Sequence, residues 1–209
     1  MKPEVDYTLY VCTDRKIMTT ETIEESVELA IKGGATVVQL REKDCTSKEF
    51  YLLAKSVKEI TDAYEIPLII NDRADIALAV GADGVHLGKN DLPVHVARNL
   101  LGPDKIVGAT ANTLERAVDA WKSGADYLGV GAVFGTSTKS DATAISLEEL
   151  KKIRQSVQIP VVAIGGINEN NIHLLRNTGV AGAAVISAVV GQKDITSATE
   201  TLISNFLGA

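Results

Sequence analysis

The strongest constraint on the fold of this chain is a short pattern that recurs along its length. A stretch with helical periodicity ends at a glycine, a small residue follows, and a short apolar stretch with strand character begins at once. Other apolar stretches of similar length are introduced by proline. The glycines of this pattern are Gly34, Gly81, Gly124 and Gly179, and the prolines are Pro67 and Pro160. A chain built in this way is expected to alternate β-strands with α-helices.

Two further apolar stretches, residues 7–11 and 105–109, complete a set of eight predicted strands. Amphipathic stretches follow the strands at residues 20–32, 46–64, 73–80, 93–101, 113–123, 146–157, 168–177 and 194–206. Strict β-α alternation implies right-handed crossovers and a parallel sheet. Eight such units favour closure into a (β/α)8 TIM barrel, because closure removes both sheet edges. An open α/β sheet would be equally compatible with the composition alone.

The composition fits a single domain spanning residues 1–209. The chain has 209 residues, of which 45% are hydrophobic, so it is long enough for one sizeable core and short for two domains. Aromatic residues make up only 4%. The core must therefore come from Val, Ile, Leu and Ala, which suits the layered interior of a parallel barrel.

Charge and hydropathy argue against two classes of partner. A net charge of −6 does not supply the basic field that nucleic acids or anionic membranes require. No apolar run approaches the roughly 18 residues of a membrane span, and charged residues stand where a signal peptide would be apolar. We therefore predict a cytoplasmic protein that acts on small molecules, with Cys12 and Cys45 as free thiols.

Closely spaced polar residues end the second predicted strand, at the position where barrels carry their functional side chains. Gln39, Arg41 and Lys43 occupy alternate positions, so in an extended chain they share one face. If that face looks into the barrel mouth, the two cations need an anion to offset their desolvation. The alternative is that the strand has ended by Arg41 and the charges are solvated.

Two carboxylates follow neighbouring strands of the predicted barrel. Asn71-Asp72 comes after the third strand, and Asp91 comes after the fourth. Mg²⁺ commonly takes one or two carboxylates and completes its octahedron with water and substrate phosphate, so this pair predicts a magnesium site. The alternative is that both aspartates are helix N-caps, since each precedes a predicted helix.

Hydroxyl side chains follow the fifth and sixth predicted strands. Thr110 ends the fifth strand and can donate or accept a hydrogen bond. The sixth strand is followed by a loop that contains Thr136, Thr138 and Lys139. Such a loop can close over a phosphate, although a polar loop that is simply mobile is the alternative interpretation.

The last two predicted strands end in Gly165-Gly166 and Ile186-Ser187. Glycine lets backbone N–H groups approach an anion closely, and barrels commonly hold phosphate between these two loops. We therefore predict a phosphate site there, while a tight-packing role for the glycines stays open.

The three histidines carry no metal-site signal in the sequence. His95 and His173 fall in predicted helices without a partner at metal-ligand spacing, and His86 lies late in the fourth strand. We interpret all three as packed or solvated side chains.

Taken in order, these residues resemble the thiamine phosphate synthase family over nearly the whole chain. The matching motifs are Gln39-x-Arg41-x-Lys43, Asn71-Asp72, Asp91, Thr136-x-Thr138-Lys139, Gly165-Gly166 and Ile186-Ser187. The resemblance implies a (β/α)8-barrel enzyme that joins 4-amino-2-methyl-5-hydroxymethylpyrimidine diphosphate to a thiazole phosphate and releases pyrophosphate.

The resemblance also implies a role for each matching residue. The pyrimidine diphosphate would be held by Gln39, Arg41, Lys43, Asn71, Thr110 and Lys139, the Mg²⁺ cofactor by Asp72 and Asp91, and the thiazole phosphate by Thr136, Thr138, Gly166, Ile186 and Ser187. The expected catalytic residues among these are Arg41, Lys43, Thr110 and Lys139. The chain departs from the family's usual Ser, His, Gln and Pro at Thr110, Asn112, Lys89 and Gly135. Thr110 nevertheless keeps the hydroxyl group.

Two other functions remain as alternatives. A thiazole tautomerase shares the fold and the phosphate-binding end, but it needs neither the diphosphate-binding residues nor magnesium. A catalytically silent sensor of phosphate ligands would have lost the metal ligands. Since Arg41, Lys43, Asp72 and Asp91 are all present, the sequence favours the synthase.

Overall fold

Eight parallel strands close into a barrel in chain order, which confirms the predicted (β/α)8 fold. The computed structural model describes residues 4–135 and 144–208. The strands are β1 (Leu9–Cys12), β2 (Val37–Leu40), β3 (Leu68–Asn71), β4 (Gly84–Leu87), β5 (Ile106–Thr110), β6 (Tyr127–Gly131), β7 (Val161–Ile164) and β8 (Gly182–Val185). The barrel closes where β1 pairs with β8, with Tyr10 opposite Ala184.

Helices surround the barrel and begin close to the predicted positions. They are α1 (Ile23–Lys32), α2 (Ser47–Ala63), α3 (Ala74–Val80), α4 (Val94–Leu101), α5 (Leu114–Lys122), α6 (Leu147–Ser156) and α7 (Ile195–Leu207). Thr46 and Ser146 start α2 and α6 with capping boxes, in which the Glu49 and Glu149 side chains accept a hydrogen bond from the backbone N–H of the cap residue. None of the described helices is long and apolar enough to cross a membrane.

The glycines of the recurring pattern are required by the backbone. All four have positive φ angles, from 71° at Gly81 to 98° at Gly34. Residues with a Cβ rarely adopt this conformation, so glycine allows the chain to turn sharply from each helix into the next strand. The repeat seen in the sequence is therefore the repeat of the β-α units.

Apolar residues fill two spaces, one inside the barrel and one between the barrel and its helices. Inside lies a cluster that contains the rings of Tyr7, Tyr10 and Tyr127 beside aliphatic residues. Outside, alternate strand residues such as Leu68 and Val85 pack against the helices. Since the large rings fill the interior, the open space of the barrel is left at the carboxyl ends of the strands.

One predicted helix is wrong. Residues 168–177 form only a single turn of 3-10 helix, Ile172–Leu175, after an irregular segment. The Asn168 and Asn171 side chains accept hydrogen bonds from the nearby backbone N–H groups of Asn170 and Asn168, and both donate to the Gly166 carbonyl. These local bonds compete with helix formation, and they hold the segment against the loop after β7.

Candidate active site

A cavity of about 400 Å³ opens at the carboxyl ends of the strands. Residues from all eight strands or the loops that follow them line it. The predicted site residues in its wall are Gln39, Arg41, Asn71, Thr110, Gly166, Ile186 and Ser187. Lys43, Asp72 and Asp91 lie beside these on the loops after β2, β3 and β4, whereas Thr136, Thr138 and Lys139 lie outside the described residues.

Arg41 is held at the mouth of this cavity by an ion pair. Strand β2 ends at Leu40, as the alternative interpretation required, but the Arg41 side chain is only 18% exposed and is not simply solvated. Its Nη1 donates to Asp14 Oδ2 at 2.9 Å, and its backbone N–H donates to the Thr13 hydroxyl at 3.0 Å. The guanidinium is therefore fixed in place by the loop after β1 before any ligand binds.

Lys43, Asp72 and Asp91 form a second charged group next to Arg41. The Lys43 ammonium donates to Asp72, whose carboxyl group lies close to that of Asp91. Asp91 Oδ2 accepts the backbone N–H of Gly88 at 2.6 Å. Burial, and then the neighbouring Asp72, raise the pKa of Asp91 above its ordinary value. Two carboxylates in contact at a partly buried site favour a shared cation.

The two aspartates are not helix caps. Helix α3 begins after Arg73 and helix α4 after Pro93, and neither helix has a side-chain cap hydrogen bond. Asp72 adopts a left-handed backbone conformation with φ of 65°, which is uncommon for a residue with a side chain. Its carboxyl group is thereby turned toward the loops after β2 and β4.

These two carboxylates are compatible with a magnesium ion that is completed by a ligand. Among the described residues, no group of three or more His, Cys, Asp or Glu side chains could hold a metal ion. Mg²⁺ does not need such a group, because one or two carboxylates suffice when phosphate oxygens and water fill the remaining positions.

Asn71 provides an unused hydrogen-bond donor in the cavity wall. The residue is 7% exposed, and its side-chain Nδ2 group is buried and has no hydrogen-bond partner among the described residues. A buried amide without a partner costs free energy, on the order of 1–3 kcal/mol. An acceptor on a bound ligand would remove that cost.

The loops after β7 and β8 offer backbone N–H groups instead of charges. Gly165 and Gly166 have φ angles of 100° and 68°, and a Cβ at Gly166 would lie 2.3 Å from the Gly135 carbonyl oxygen. Tight packing is thus one reason for glycine here. The backbone N–H groups of Gly166 and Ser187 donate to no acceptor within residues 4–135 and 144–208, so they can still bind an anion.

Sequence reasoning missed a chain of polar side chains inside the barrel. His86 contacts the Tyr127 hydroxyl through Nδ1 and the Thr110 hydroxyl through Nε2, each at 2.9 Å. Tyr10 joins Tyr127 to Gln39, at 2.7 and 2.8 Å. His86 packs against the Tyr127 ring, in agreement with the prediction of a packed residue, but it also lines the cavity, which was not predicted. The signal was its alternation with Val85, an apolar residue that faces the helices.

The other two histidines lie away from this chain. His95 is on α4 beside a shallower cavity between α4 and α5, and His173 is in the 3-10 turn. Neither lines the main cavity.

The fold and the cavity together define a (β/α)8-barrel protein with an enzyme-like site at the carboxyl ends of its strands. The chain belongs to the thiamine monophosphate synthase family, whose model matches residues 9–189. The thiamine-phosphate synthase of Ruminiclostridium cellulolyticum is 58% identical over 207 residues, 99% of both chains. That of Clostridium beijerinckii is 53% identical over 207 residues, again 99% of both. The solved thiamine phosphate pyrophosphorylase of Pyrococcus furiosus superimposes with a TM-score of 0.89 at 47% identity, covering 96% of each chain.

Proposed function

We propose that this enzyme joins a hydroxymethylpyrimidine diphosphate to a thiazole phosphate, giving thiamine phosphate and pyrophosphate. The observation that carries the proposal is the single cavity into which Gln39, Arg41 and Asn71 project from one side and the Gly166 and Ser187 loops from the other. This arrangement suits two phosphorylated substrates whose reacting ends meet in the middle. The names of the full-length relatives support the same reaction.

On the β2–β4 side, the diphosphate would meet Arg41, Lys43, Asn71 and Lys139. Arg41 is already oriented by Asp14, and the unpaired Asn71 amide would donate to a phosphate oxygen. Lys43 is half exposed, so its flexible side chain can leave Asp72 and turn to the diphosphate. Lys139 would approach from the loop after β6.

Asp72 and Asp91 would hold Mg²⁺ together with diphosphate oxygens. A magnesium ion bound there would supply Lewis-acid stabilisation of the charge that develops on the departing diphosphate. Asp91 would be oriented for this role by the Gly88 N–H that its Oδ2 accepts, and Asp72 by its left-handed backbone conformation. They need no other protein ligand.

On the opposite side, the thiazole phosphate would bind the N–H groups of Gly166 and Ser187, with Ile186 beside them. Thr136 and Thr138 would add hydroxyl donors from the loop after β6. Because a monophosphate is bound here mainly by neutral donors, this half of the site does not depend on a metal ion.

The reaction needs no general base. The thiazole nitrogen already carries a lone pair, which forms the new bond to the methylene carbon. The bond between that carbon and the diphosphate oxygen breaks, and the diphosphate leaves with both electrons. Arg41, Lys43 and Lys139 stabilise the leaving charge, while the electron-rich aminopyrimidine shares the positive charge on the methylene carbon. We therefore propose a dissociative substitution.

A mass-spectrometric assay with both substrates and Mg²⁺ tests the function. Thiamine phosphate and pyrophosphate are expected in equal amounts. Isomerised thiazole phosphate without thiamine phosphate would identify a tautomerase, and calorimetric binding of both ligands with no product would identify a sensor.

Lys139→Ala tests the residue that lies outside the described part of the chain. Loss of one preorganised contact to a leaving group commonly costs about 3–4 kcal/mol, a hundred- to a thousandfold in rate. Turnover at the wild-type rate would contradict the role given to Lys139. Lys151→Ala, which removes a lysine on α6 that pairs with Glu148, is the matched control and should leave turnover unchanged.

A further inference from the structure

The interior of the barrel contains an unbroken chain of hydrogen bonds that ends at two residues of the proposed pyrimidine site. It runs from Gln39 to Tyr10, Tyr127, His86 and finally Thr110, across strands β2, β1, β6, β4 and β5. Its four hydrogen bonds measure 2.7 to 2.9 Å. The chain crosses the floor of the cavity and does not reach the predicted metal ligands.

Glycines in neighbouring strands make room for this chain. A Cβ at Gly108 would lie 2.2 Å from the Tyr127 ring, and a Cβ at Gly129 would lie 3.0 Å from the His86 ring. Tyr10 and Tyr127 are both only 1% exposed, and burial raises the pKa of both hydroxyl groups well above the usual range. The two tyrosines are therefore neutral donors that are held in fixed positions.

The direction of each hydrogen bond follows from the first donor. The Gln39 amide Nε2 can only donate, so the Tyr10 oxygen accepts. Among the described residues the other hydrogen-bond partner of the Tyr10 hydroxyl is Tyr127, so Tyr10 donates there. Tyr127 must then donate to His86 Nδ1, which leaves the ring hydrogen on Nε2, pointing at the Thr110 oxygen.

We propose that His86 is a positioning residue that makes the Thr110 hydroxyl a hydrogen-bond donor toward the substrate. Because the Thr110 oxygen accepts from His86, its own hydrogen is turned into the cavity that both residues line. The proposal rests on the proposed function and deepens it. It assigns to Thr110 a partner that lacks a hydrogen, such as a ring nitrogen of an aminopyrimidine.

The same chain gives the site a means of discrimination. A ring whose nitrogen carries a hydrogen at that position, as in a pyrimidinone, would present a donor to a donor. Such a mismatch leaves two buried groups unpaired, which sites of this kind reject more strongly than a missing methylene. His86 therefore contributes to specificity without touching the reacting atoms.

The position of the hydrogen on His86 can be measured directly. Nitrogen NMR of histidine-labelled wild-type protein at about pH 7.5, with the His86 signals assigned by their loss in a variant, is expected to show a singly protonated ring with the hydrogen on Nε2. A hydrogen on Nδ1, or on both nitrogens, would overturn the proposal. This measurement needs no substrate.

Two substitutions separate positioning from folding. His86→Gln keeps a donor that can reach Thr110, whereas His86→Asn keeps a contact with Tyr127 and is too short to reach Thr110. We expect His86→Asn to raise the KM for the pyrimidine diphosphate about tenfold, the value of one hydrogen bond. His86→Gln should restore most of this, and the KM for the thiazole phosphate should stay unchanged. Equal losses in both variants, or equal changes in both KM values, would indicate a purely structural role and overturn the proposal.

A double variant tests whether His86 acts through Thr110. In a Thr110→Val background, His86→Asn should cause no further rise in the pyrimidine KM, because the positioned hydroxyl is already gone. Independent effects that multiply would overturn the proposal. A wild-type protein that forms no thiamine phosphate, yet has the ring hydrogen on Nε2, would overturn the proposed function and leave the hydrogen-bond polarity in place.

Discussion

The two sides of the cavity mouth offer anions different kinds of binding group. After β1 to β4, the charged side chains are already paired with one another, Arg41 with Asp14 and Lys43 with Asp72. After β7 and β8, the cavity is lined by Gly166 and Ser187, whose N–H groups have no acceptor in residues 4–135 and 144–208. A ligand must rearrange charges on the first side, whereas it finds a ready set of donors on the second.

The free-energy cost of leaving the ligand-binding groups unpaired differs between the two halves of the site. An unpaired charged side chain is costly to remove from water. The charged side chains on this side are therefore paired with one another until an ion and a diphosphate bind. Backbone N–H groups carry no net charge, so they can stay without a protein acceptor next to solvent at a low cost in free energy. Substitutions on each side should therefore separate a metal-dependent half of the site from an amide half.

The largest effect is expected from Asp72→Asn on the charged side. It removes one of two carboxylates that would hold magnesium, so turnover should fall by about a hundred- to a thousandfold. Steady-state kinetics over a range of Mg²⁺ concentrations measure this. Asp75→Asn is the control, because that exposed carboxylate pairs with Arg73 and does not line the cavity. Wild-type turnover by the Asp72 variant would remove this residue from the metal site.

A smaller effect is expected from Gly166→Ala on the amide side. The new Cβ would lie 2.3 Å from the Gly135 carbonyl oxygen at a φ of 68°, which should displace the loop. We expect the KM for the thiazole phosphate to rise at least about tenfold, and the free energy of unfolding to fall by about 1–3 kcal/mol.

Gly81→Ala is the matched control for that substitution. Gly81 has nearly the same φ, 71°, but a Cβ at this position would have no described atom within 4 Å, and the residue is remote from the cavity lining. The variant should have lower stability without a change in either KM. If the two variants had the same kinetics, the loop after β7 would not bind the thiazole phosphate.

Asp14→Asn tests how Arg41 is oriented. The amide can still accept a hydrogen bond but has no charge, so the guanidinium should be less firmly placed. We expect the KM for the pyrimidine diphosphate to rise about tenfold, with the thiazole KM unchanged. A lower KM for the diphosphate would mean that Asp14 competes with the ligand instead of orienting Arg41.

The smallest effect is expected on the stability of the magnesium-free protein. Because the pKa of Asp91 is raised in the folded state, the folded protein binds this proton more tightly than the unfolded chain does. Its contribution to stability is therefore lost as pH rises from the ordinary pKa of aspartate through the raised value. At neutral pH and in the presence of a chelator, Asp91→Asn should therefore raise the melting temperature. The corresponding gain in the free energy of unfolding should be less than about 1 kcal/mol, because solvent screens the group. A lower melting temperature would contradict this.

The sequence was sufficient for the barrel because its signals are local. A glycine with positive φ, such as Gly81, and a capping box, such as the one at Thr46, act within one turn of the chain. The prediction of a helix at residues 168–177 was wrong for an equally local reason, because the Asn168 and Asn171 side chains bind backbone groups that a helix would use.

The site was only partly predictable, since its contacts join residues distant in sequence. Alternation along β2 correctly brought Gln39 to the cavity. The link between Gln39 and Thr110 runs through Tyr10, Tyr127 and His86, and it depends on how five strands are staggered in the barrel. Alternation with Val85 places His86 on the interior side of β4, but nothing in the sequence identifies Tyr127 and Thr110 as its partners there.

Calorimetric titration of each substrate, with Mg²⁺ and with chelator, tests the division of the site into two halves. We predict that Mg²⁺ tightens binding of the pyrimidine diphosphate at least about tenfold and leaves the affinity for the thiazole phosphate unchanged. An equal effect of Mg²⁺ on both ligands, or no effect on the diphosphate, would contradict this division.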